Sequence, residues 1–275
     1  MVERAAPKRM NRSAETNEFD DGYKWRVLFS VIFGTFMSIL DNTVVNVALA
    51  TLQKDFGASI SHTQGVVTYY ALSLGIVIPV AGFLADRFGI KRIYVISLVA
   101  FTTASALCGL APSLNALIFF RILQGLGGGA LLPLGTAMLF TAFPPHERGL
   151  ALSVFGVPSL VAPALGPTLG GFLVEYVDWR FIFYINLPIG IVGALIASRN
   201  LRERKSATRA RFDVPGFILS TIGFGALLYG LSNAATDGWT SGTVLGFLGL
   251  GIGALIAFTI VELRSPHPLL NVRFY

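Results

Sequence analysis

Two oppositely charged residues, Asp41 and Arg121, stand inside long apolar stretches and are the strongest candidates for chemistry. An arginine at the centre of a membrane helix costs roughly 2.5–3.5 kcal/mol, so it is expected to have a partner or a function. At about 1.5 Å of rise per residue, Asp41 lies about 6 Å and Arg121 about 10 Å below the same edge of a hydrocarbon layer about 30 Å thick. We therefore predict that the two side chains pair, directly or through water, and that the carboxylate can bind and release a proton. The alternatives are that Arg121 extends to the outer interface and that Asp41 makes a static interhelical bond.

Small and polar residues accompany Arg121 at helical spacing. At about 100° per residue, Arg121, Gln124, Gly125 and Gly128 form one narrow stripe. Small residues on one face allow another helix to approach closely, and polar residues on that face are expected to point into a cavity or a bundle.

Candidate substrate contacts come from the first two apolar stretches and from Gln124. Asp41, Asn42 and Asn46 fall within an arc of about 140°, which favours a shared face toward a cavity. Tyr69 and Tyr70 have the chemistry to stack on an aromatic cation, although packing or an interface position explains them equally well.

The composition indicates that the elements positioning these residues are membrane helices. Of 275 residues, 53% are hydrophobic and 13% are charged, whereas soluble domains carry about 25% charged residues. A helix needs roughly 20 apolar residues to cross a bilayer. Eight segments meet this requirement, near residues 25–50, 64–84, 92–111, 114–142, 149–174, 180–198, 214–233 and 242–263. The sequence therefore predicts an all-α, multi-pass membrane protein in contact with the lipid bilayer.

The basic residues predict one orientation for these spans. If the N-terminus is cytoplasmic, 18 of the 21 lysines and arginines fall on the cytoplasmic side, as the positive-inside rule expects. The net charge of +6 is then explained by topology, and we expect no nucleic-acid partner.

Charge and hydrophobicity also predict the organisation of the chain. The expected regions are a disordered cytoplasmic leader (1–24), a bundle of six transmembrane helices (25–198), a basic cytoplasmic linker (199–212) and two additional transmembrane helices (213–264).

The fifth span, "GVPSLVAPALGPTLGG" (156–171), contains three prolines and four glycines. Neighbouring helices can satisfy the carbonyls that proline leaves free in a membrane bundle. The segment is expected to be a close-packed kink, which is compatible with a hinge.

The sequence does not support a nucleotide-binding, metal-binding or catalytic motif. Gly125, Gly127 and Ala130 match a dinucleotide-binding pattern, but no strand precedes them and they lie within a span. We find no metal-binding, nucleophile or phosphate-loop pattern, and we expect neither a cofactor nor an enzyme.

Five motifs in succession resemble the major facilitator superfamily, and specifically its drug:proton antiporters with fourteen spans. They are "LDNTVVNVAL" (40–49), "GFLADRFGIKR" (82–92), "RILQGLGGGA" (121–130), "GVPSLVAPALGPTLGG" (156–171) and "WRFIFYINLPIG" (179–190). The resemblance implies an N-terminal six-helix bundle made of two inverted three-helix repeats, followed by two extra helices.

The resemblance also implies a function, namely proton-driven efflux of lipophilic and often cationic small molecules across the inner, cytoplasmic membrane. It implies a role in proton coupling for Arg121, and in coupling or cation recognition for Asp41. It implies a cytoplasmic gate, latched with the help of Asp86 and Arg87, whose motif residues are Gly82, Asp86, Arg87, Gly89, Lys91 and Arg92. It implies an antiporter motif in the fifth span, formed by Gly156, Pro163, Gly166, Pro167, Gly170 and Gly171.

The sequence differs from that family in length. Eight spans correspond to the N-terminal six and the two extra helices, and residues 265–275 would begin a missing C-terminal half. We expect a fragment, with a truncated gene or two assembling copies as alternatives, because alternating access needs two bundles. A transport-inactive sensor or scaffold and a symporter of the same superfamily are the competing functions.

Overall fold

The computed structural model describes residues 21–204 and 213–264. The predicted leader up to residue 20, residues 205–212 of the predicted linker and residues 265–275 lie outside this part. Within it, eight helices are long and apolar enough to cross a membrane, as predicted, and no strand is present. The helices are α1 (Asp21–Phe56), α2 (Ile60–Phe88), α3 (Ile90–Gly109), α4 (Leu114–Gly128 and Leu131–Ala142), α5 (Arg148–Tyr176), α6 (Phe181–Tyr184 and Asn186–Asn200), α7 (Val214–Asp237) and α8 (Gly242–Arg264).

Two of the spans are interrupted, and proline explains both interruptions. Pro133 and Pro188 follow Gly129 and Tyr184 by four residues, and a proline ring clashes with the carbonyl at that position and removes its hydrogen-bond donor. The regular helical hydrogen bonding is accordingly interrupted at Gly129–Ala130 in α4 and at Ile185 in α6, although the backbone keeps right-handed helical angles at all three residues. The second interruption lies directly before Asn186, a residue of the candidate site.

Helix α1 carries Asp41 and packs along several helices of the six-helix bundle. It packs against α5 and the second segment of α6, whereas α4 packs against α2 and α3. The buried apolar residues form two clusters, one around Leu28, Phe101 and Phe143 and the other around Leu52 and Phe183. Asp41 follows the last α1 residue of the first cluster, Met37, so the charged pair lies near the boundary between the two.

Helices α7 and α8 form a hairpin that packs on itself and on α2. Glycines allow the close approach within the hairpin: a Cβ atom at Gly251 would lie 2.8 Å from the backbone nitrogen of Leu227. One hydrogen bond of 2.9 Å joins the Thr68 and Ser232 hydroxyls between α2 and α7.

Candidate functional site

Asp41 and Arg121 form a direct ion pair inside the bundle. Arg121 Nη1 lies 2.5 Å from Asp41 Oδ2, and both side chains are completely buried. The predicted pairing is confirmed, and extension of Arg121 to the interface is excluded. The pair joins α1 to α4 in the interior, where a buried charge is tolerated only with a partner.

Two neutral amides complete the coordination of the Asp41 carboxylate. Gln124 Nε2 on α4 and Asn186 Nδ2 on α6 both donate to Oδ1, at 3.0 and 2.7 Å. Arg121 donates to the other oxygen. The carboxylate therefore accepts three hydrogen bonds from two helices, and both of its oxygens are used.

The guanidinium group of Arg121 is fixed by further contacts. Its Nε donates to the Val66 carbonyl at 3.2 Å, and its Nη1 also donates to Gln124 Oε1 at 2.7 Å. The Tyr70 ring lies beneath it, with 3.8 Å between Arg121 Cζ and the ring centroid. This is close to the optimum of a cation–π contact and orients the arginine without neutralising it.

The glycines of "RILQGLGGGA" explain how α4 reaches its neighbours. A Cβ atom at Gly125 would lie 2.6 Å from the carbonyl oxygen of Tyr70 on α2, and one at Gly127 would lie 2.7 Å from the backbone nitrogen of Phe101 on α3. Side-chain-free residues are therefore required for α4 to pack against both helices. Gly128 faces Phe101, so the stripe predicted with Arg121 does contact adjacent helices.

The predicted substrate contacts divide into two groups. Tyr70 and Gln124 are buried and belong to the polar cluster around Asp41. Asn42 and Asn46 are exposed, and Asn46 Nδ2 donates to the Asn42 carbonyl at 2.7 Å rather than to Asp41. Within the predicted arc, Asp41 is therefore buried inside the bundle and the two asparagines are exposed.

Tyr69 lies away from Tyr70, about 100° around α2. Its side chain is exposed and lines a cleft between α2 and α7 together with Gln64, Thr68, Tyr229 and Asn233. Neighbouring tyrosines in the sequence thus belong to different surroundings.

The fifth-span motif also presents two faces. Gly166 and Gly170 are buried against α1, where a Cβ atom at Gly170 would lie 3.2 Å from the Val44 carbonyl oxygen. Pro163 and Pro167 are exposed, and a Cβ atom at Gly156 or Gly171 would meet open space. Helix α5 continues through all three of its prolines. The motif therefore brings α5 against the part of α1 that follows Asp41.

The loop between α2 and α3 is held by Glu203, a residue that follows the end of α6. Gly89 has φ +104°, a conformation that favours glycine, and Glu203 occupies the space a side chain would need. The Glu203 carboxylate accepts the backbone N–H groups of Lys91 and Arg92 at 3.2 and 3.1 Å. Gly82, Asp86 and Arg87 are exposed on the preceding turns of α2.

Three buried residues of the site were not identified from the sequence: Asn186, Ser105 and Cys108. Asn186 Nδ2 also donates to Ser105 Oγ at 3.1 Å, and the Cys108 thiol contacts Gln124 Oε1 at 3.5 Å. The only sequence signal was an asparagine at the break of an apolar span, two residues before a proline.

Comparison with known proteins identifies the family of this sequence. The Major Facilitator Superfamily profile matches residues 31–265. The chain is 36% identical over 249 residues to the "Uncharacterized MFS-type transporter YhcA" of Bacillus subtilis (strain 168), covering 90% of this chain and 47% of that protein. It is also 36% identical over 258 residues to the "Putative multidrug resistance protein MdtD" of Salmonella typhi, covering 94% of this chain and 54% of that protein. The chain thus spans about half the length of these relatives.

Solved structures show the same fold. A peptide transporter, POT, in complex with sulfate superposes with a TM-score of 0.65 at 18% identity, over 88% of this chain and 53% of the transporter. The human organic anion transporter MFSD10 gives 0.58 at 17% identity, over 89% and 73% of the two chains. Proteins of this kind are membrane transporters and not enzymes. The chain belongs to the Major Facilitator Superfamily.

Proposed function

We propose that this chain is the N-terminal part of a proton-coupled antiporter that exports lipophilic, often cationic, small molecules across the cytoplasmic membrane. The observation that carries the proposal is the ion pair between Asp41 and Arg121, completely buried between two membrane-length helices. Ionisable residues at such positions mark ion and proton pathways. The five motifs that resemble drug:proton antiporters and the name of the MdtD relative support export of drug-like compounds.

Proton coupling follows from the chemistry of the pair. A proton on the Asp41 carboxyl removes the negative charge that holds Arg121, and it weakens the connection between α1 and α4. Release of the proton restores the pair. If substrate binding and protonation of Asp41 exclude each other, outward movement of the substrate is linked to inward movement of the proton.

The remaining sequence motifs receive roles within this scheme. We assign Gly82, Asp86, Arg87, Gly89, Lys91 and Arg92 to a cytoplasmic gate and the α5 motif to a hinge. The N-terminus is placed in the cytoplasm. A second bundle, from further chain or from a second copy, completes the transport unit, because alternating access needs two bundles around a central site.

The mass of the native gene product in its membrane tests the last point. A product about twice this length, or a dimer of this length, supports a two-bundle unit. A monomer that ends at Tyr275 would contradict it.

Efflux by membrane vesicles tests the coupling. Native gene product in inverted vesicles should accumulate a fluorescent lipophilic cation when the vesicle lumen is acidic. Asp41→Asn should reduce this uptake to the level of vesicles without the protein. The matched control is Asp178→Asn, which alters an exposed aspartate and should retain uptake. Normal uptake by Asp41→Asn would refute the proposal.

A further inference from the structure

Asn186 contacts the Asp41 carboxylate from the first residue of the second segment of α6. Ile185, the residue before it, keeps right-handed helical backbone angles, and the Ser105 hydroxyl donates to the nearby Phe183 carbonyl at 2.9 Å. The Asn186 side chain is completely buried. Both of its bonds come from the amide nitrogen, to Asp41 Oδ1 and to Ser105 Oγ.

The carbonyl end of the Asn186 amide is unused. Asn186 Oδ1 is buried and has no hydrogen-bond partner in the described part of the chain. A buried acceptor without a partner is unfavourable by about 1–3 kcal/mol, so its retention calls for an explanation.

Gln124, the other amide on Asp41, has no such freedom. Its Nε2 donates to Asp41, whereas its Oε1 accepts from Arg121 at 2.7 Å and from the Cys108 thiol. Reversing this amide would turn its NH₂ group toward the guanidinium cation. Gln124 is therefore held through both ends of its amide, whereas Asn186 is held only through Nδ2.

Protonation of Asp41 creates a demand that only an acceptor can meet. On the charged carboxylate, Oδ1 accepts from both amides; once Oδ1 carries a proton it has an O–H group to donate. The titratable or charged groups around Asp41 in the described structure are Arg121 on α4, Tyr70 on α2 and Cys108 on α3. Arg121 offers no acceptor atom.

We propose that Asn186 is a positioning residue that responds to the proton on Asp41 by reversing its side-chain amide. With the charged carboxylate it donates through Nδ2, and with the protonated carboxyl it accepts the O–H through Oδ1. The reversal breaks the bond to Ser105 and so transmits the protonation of α1 to α3 and α6. This inference rests on the proposed function, since it assumes that Asp41 is the proton carrier.

Infrared difference spectroscopy tests the reversal directly in the native gene product. Spectra recorded at high and low pH, with and without ¹³C-labelled asparagine, isolate the side-chain carbonyl bands. We expect one asparagine carbonyl band to move to lower wavenumber on acidification, because Oδ1 gains a hydrogen bond. The band should vanish in Asn186→Leu and persist in Asn46→Leu, which alters an exposed asparagine. A labelled protein without a shifting band would overturn the proposal, whether or not the variant folds.

Transport provides a second readout that a purely structural residue would not change. Asn186→Leu removes a hydrogen-bond donor from the charged carboxylate and a hydrogen-bond acceptor from the protonated carboxyl. The first loss is the larger in free energy, and the difference changes the protonation equilibrium of Asp41 by roughly tenfold. Asn186→Leu should therefore shift the pH midpoint of efflux upward by about one unit. An unchanged midpoint in a folded variant would count against the proposal.

Asp41→Asn, measured in the same experiments, distinguishes failure of the proposed function from failure of the amide reversal. Coupled efflux by Asp41→Asn would remove the proposed function. Loss of efflux by Asp41→Asn with wild-type spectra and pH midpoint in Asn186→Leu would remove only the amide reversal.

Discussion

Two aspartate–arginine pairs in this protein have the same chemistry and opposite surroundings. Asp41 and Arg121 are 2.5 Å apart with no exposed side-chain surface, whereas Asp178 and Arg180 are 3.5 Å apart with 42% and 39% of their side chains exposed. The buried pair has two amides and an aromatic ring around it. Water screens the surface pair, so burial rather than residue type determines which pair can control the protein.

Replacing the arginine of the buried pair should produce the largest difference in stability between the buried pair and the surface pair. Arg121→Leu leaves the Asp41 carboxylate buried without a counter-charge, and we expect a loss of about 3–5 kcal/mol in the free energy of unfolding. Thermal denaturation of the purified gene product measures this loss. The double variant Asp41→Asn/Arg121→Leu should recover part of it, because no charge then remains buried. A double variant less stable than Arg121→Leu would show that the loss does not come from the uncompensated charge.

The packing beneath the buried pair should be the next most sensitive feature. Gly125→Ala places a methyl group 2.6 Å from the carbonyl of Tyr70, the residue that stacks on Arg121. We expect a destabilisation of about 1–3 kcal/mol, since backbone must move. Gly156→Ala, whose methyl group would meet open space, is the matched control for the same thermal measurement. Equal effects of the two substitutions would contradict the packing argument.

Glu203 provides an intermediate case, an exposed carboxylate with fixed backbone donors. Glu203→Gln removes the charge from the group that accepts the N–H groups of Lys91 and Arg92 at the start of α3. A favourable charge at a helix N-terminus contributes about 0.3–1 kcal/mol. Amide hydrogen exchange at residues 91 and 92 should accelerate by a few-fold, while Glu175→Gln, on the exposed face of α5, should leave it unchanged. Unaltered exchange in Glu203→Gln would show that the charge does not hold this loop.

The surface pair should show the smallest effect. Asp178→Asn is expected to change the free energy of unfolding by about 0.2–1 kcal/mol, and less at high salt. Denaturation at two salt concentrations measures both quantities. A loss as large as that of Arg121→Leu would remove the distinction between the pairs.

The membrane spans and the ion pair between Asp41 and Arg121 were predictable because they depend on properties that can be read along the sequence. Segment length and apolar content located the spans, and helix rise placed Asp41 and Arg121 at similar depths. The ends of the helices differ from the prediction: α1 begins at Asp21, four residues before the predicted first span, because polar residues extend a helix beyond the bilayer.

The second layer of the site was not predictable in the same way. Asn186 and Ser105 are neutral, so their presence in a span does not demand a partner as a charge does. Their position depends on how α3 and α6 are rotated about their axes, which only tertiary packing determines. Tyr69 and Tyr70 illustrate the same limit, because the sequence does not reveal which of two neighbours faces inward.

Proton release on substrate binding distinguishes an Asp41 that carries the transported proton from an Asp41 that only forms a static ion pair. Purified native gene product in weakly buffered detergent, mixed with a lipophilic cation, should release protons that a pH indicator detects. We expect release by the wild type and by Asp178→Asn, and none by Asp41→Asn. Undiminished release by Asp41→Asn would show that the buried carboxylate is not the proton carrier.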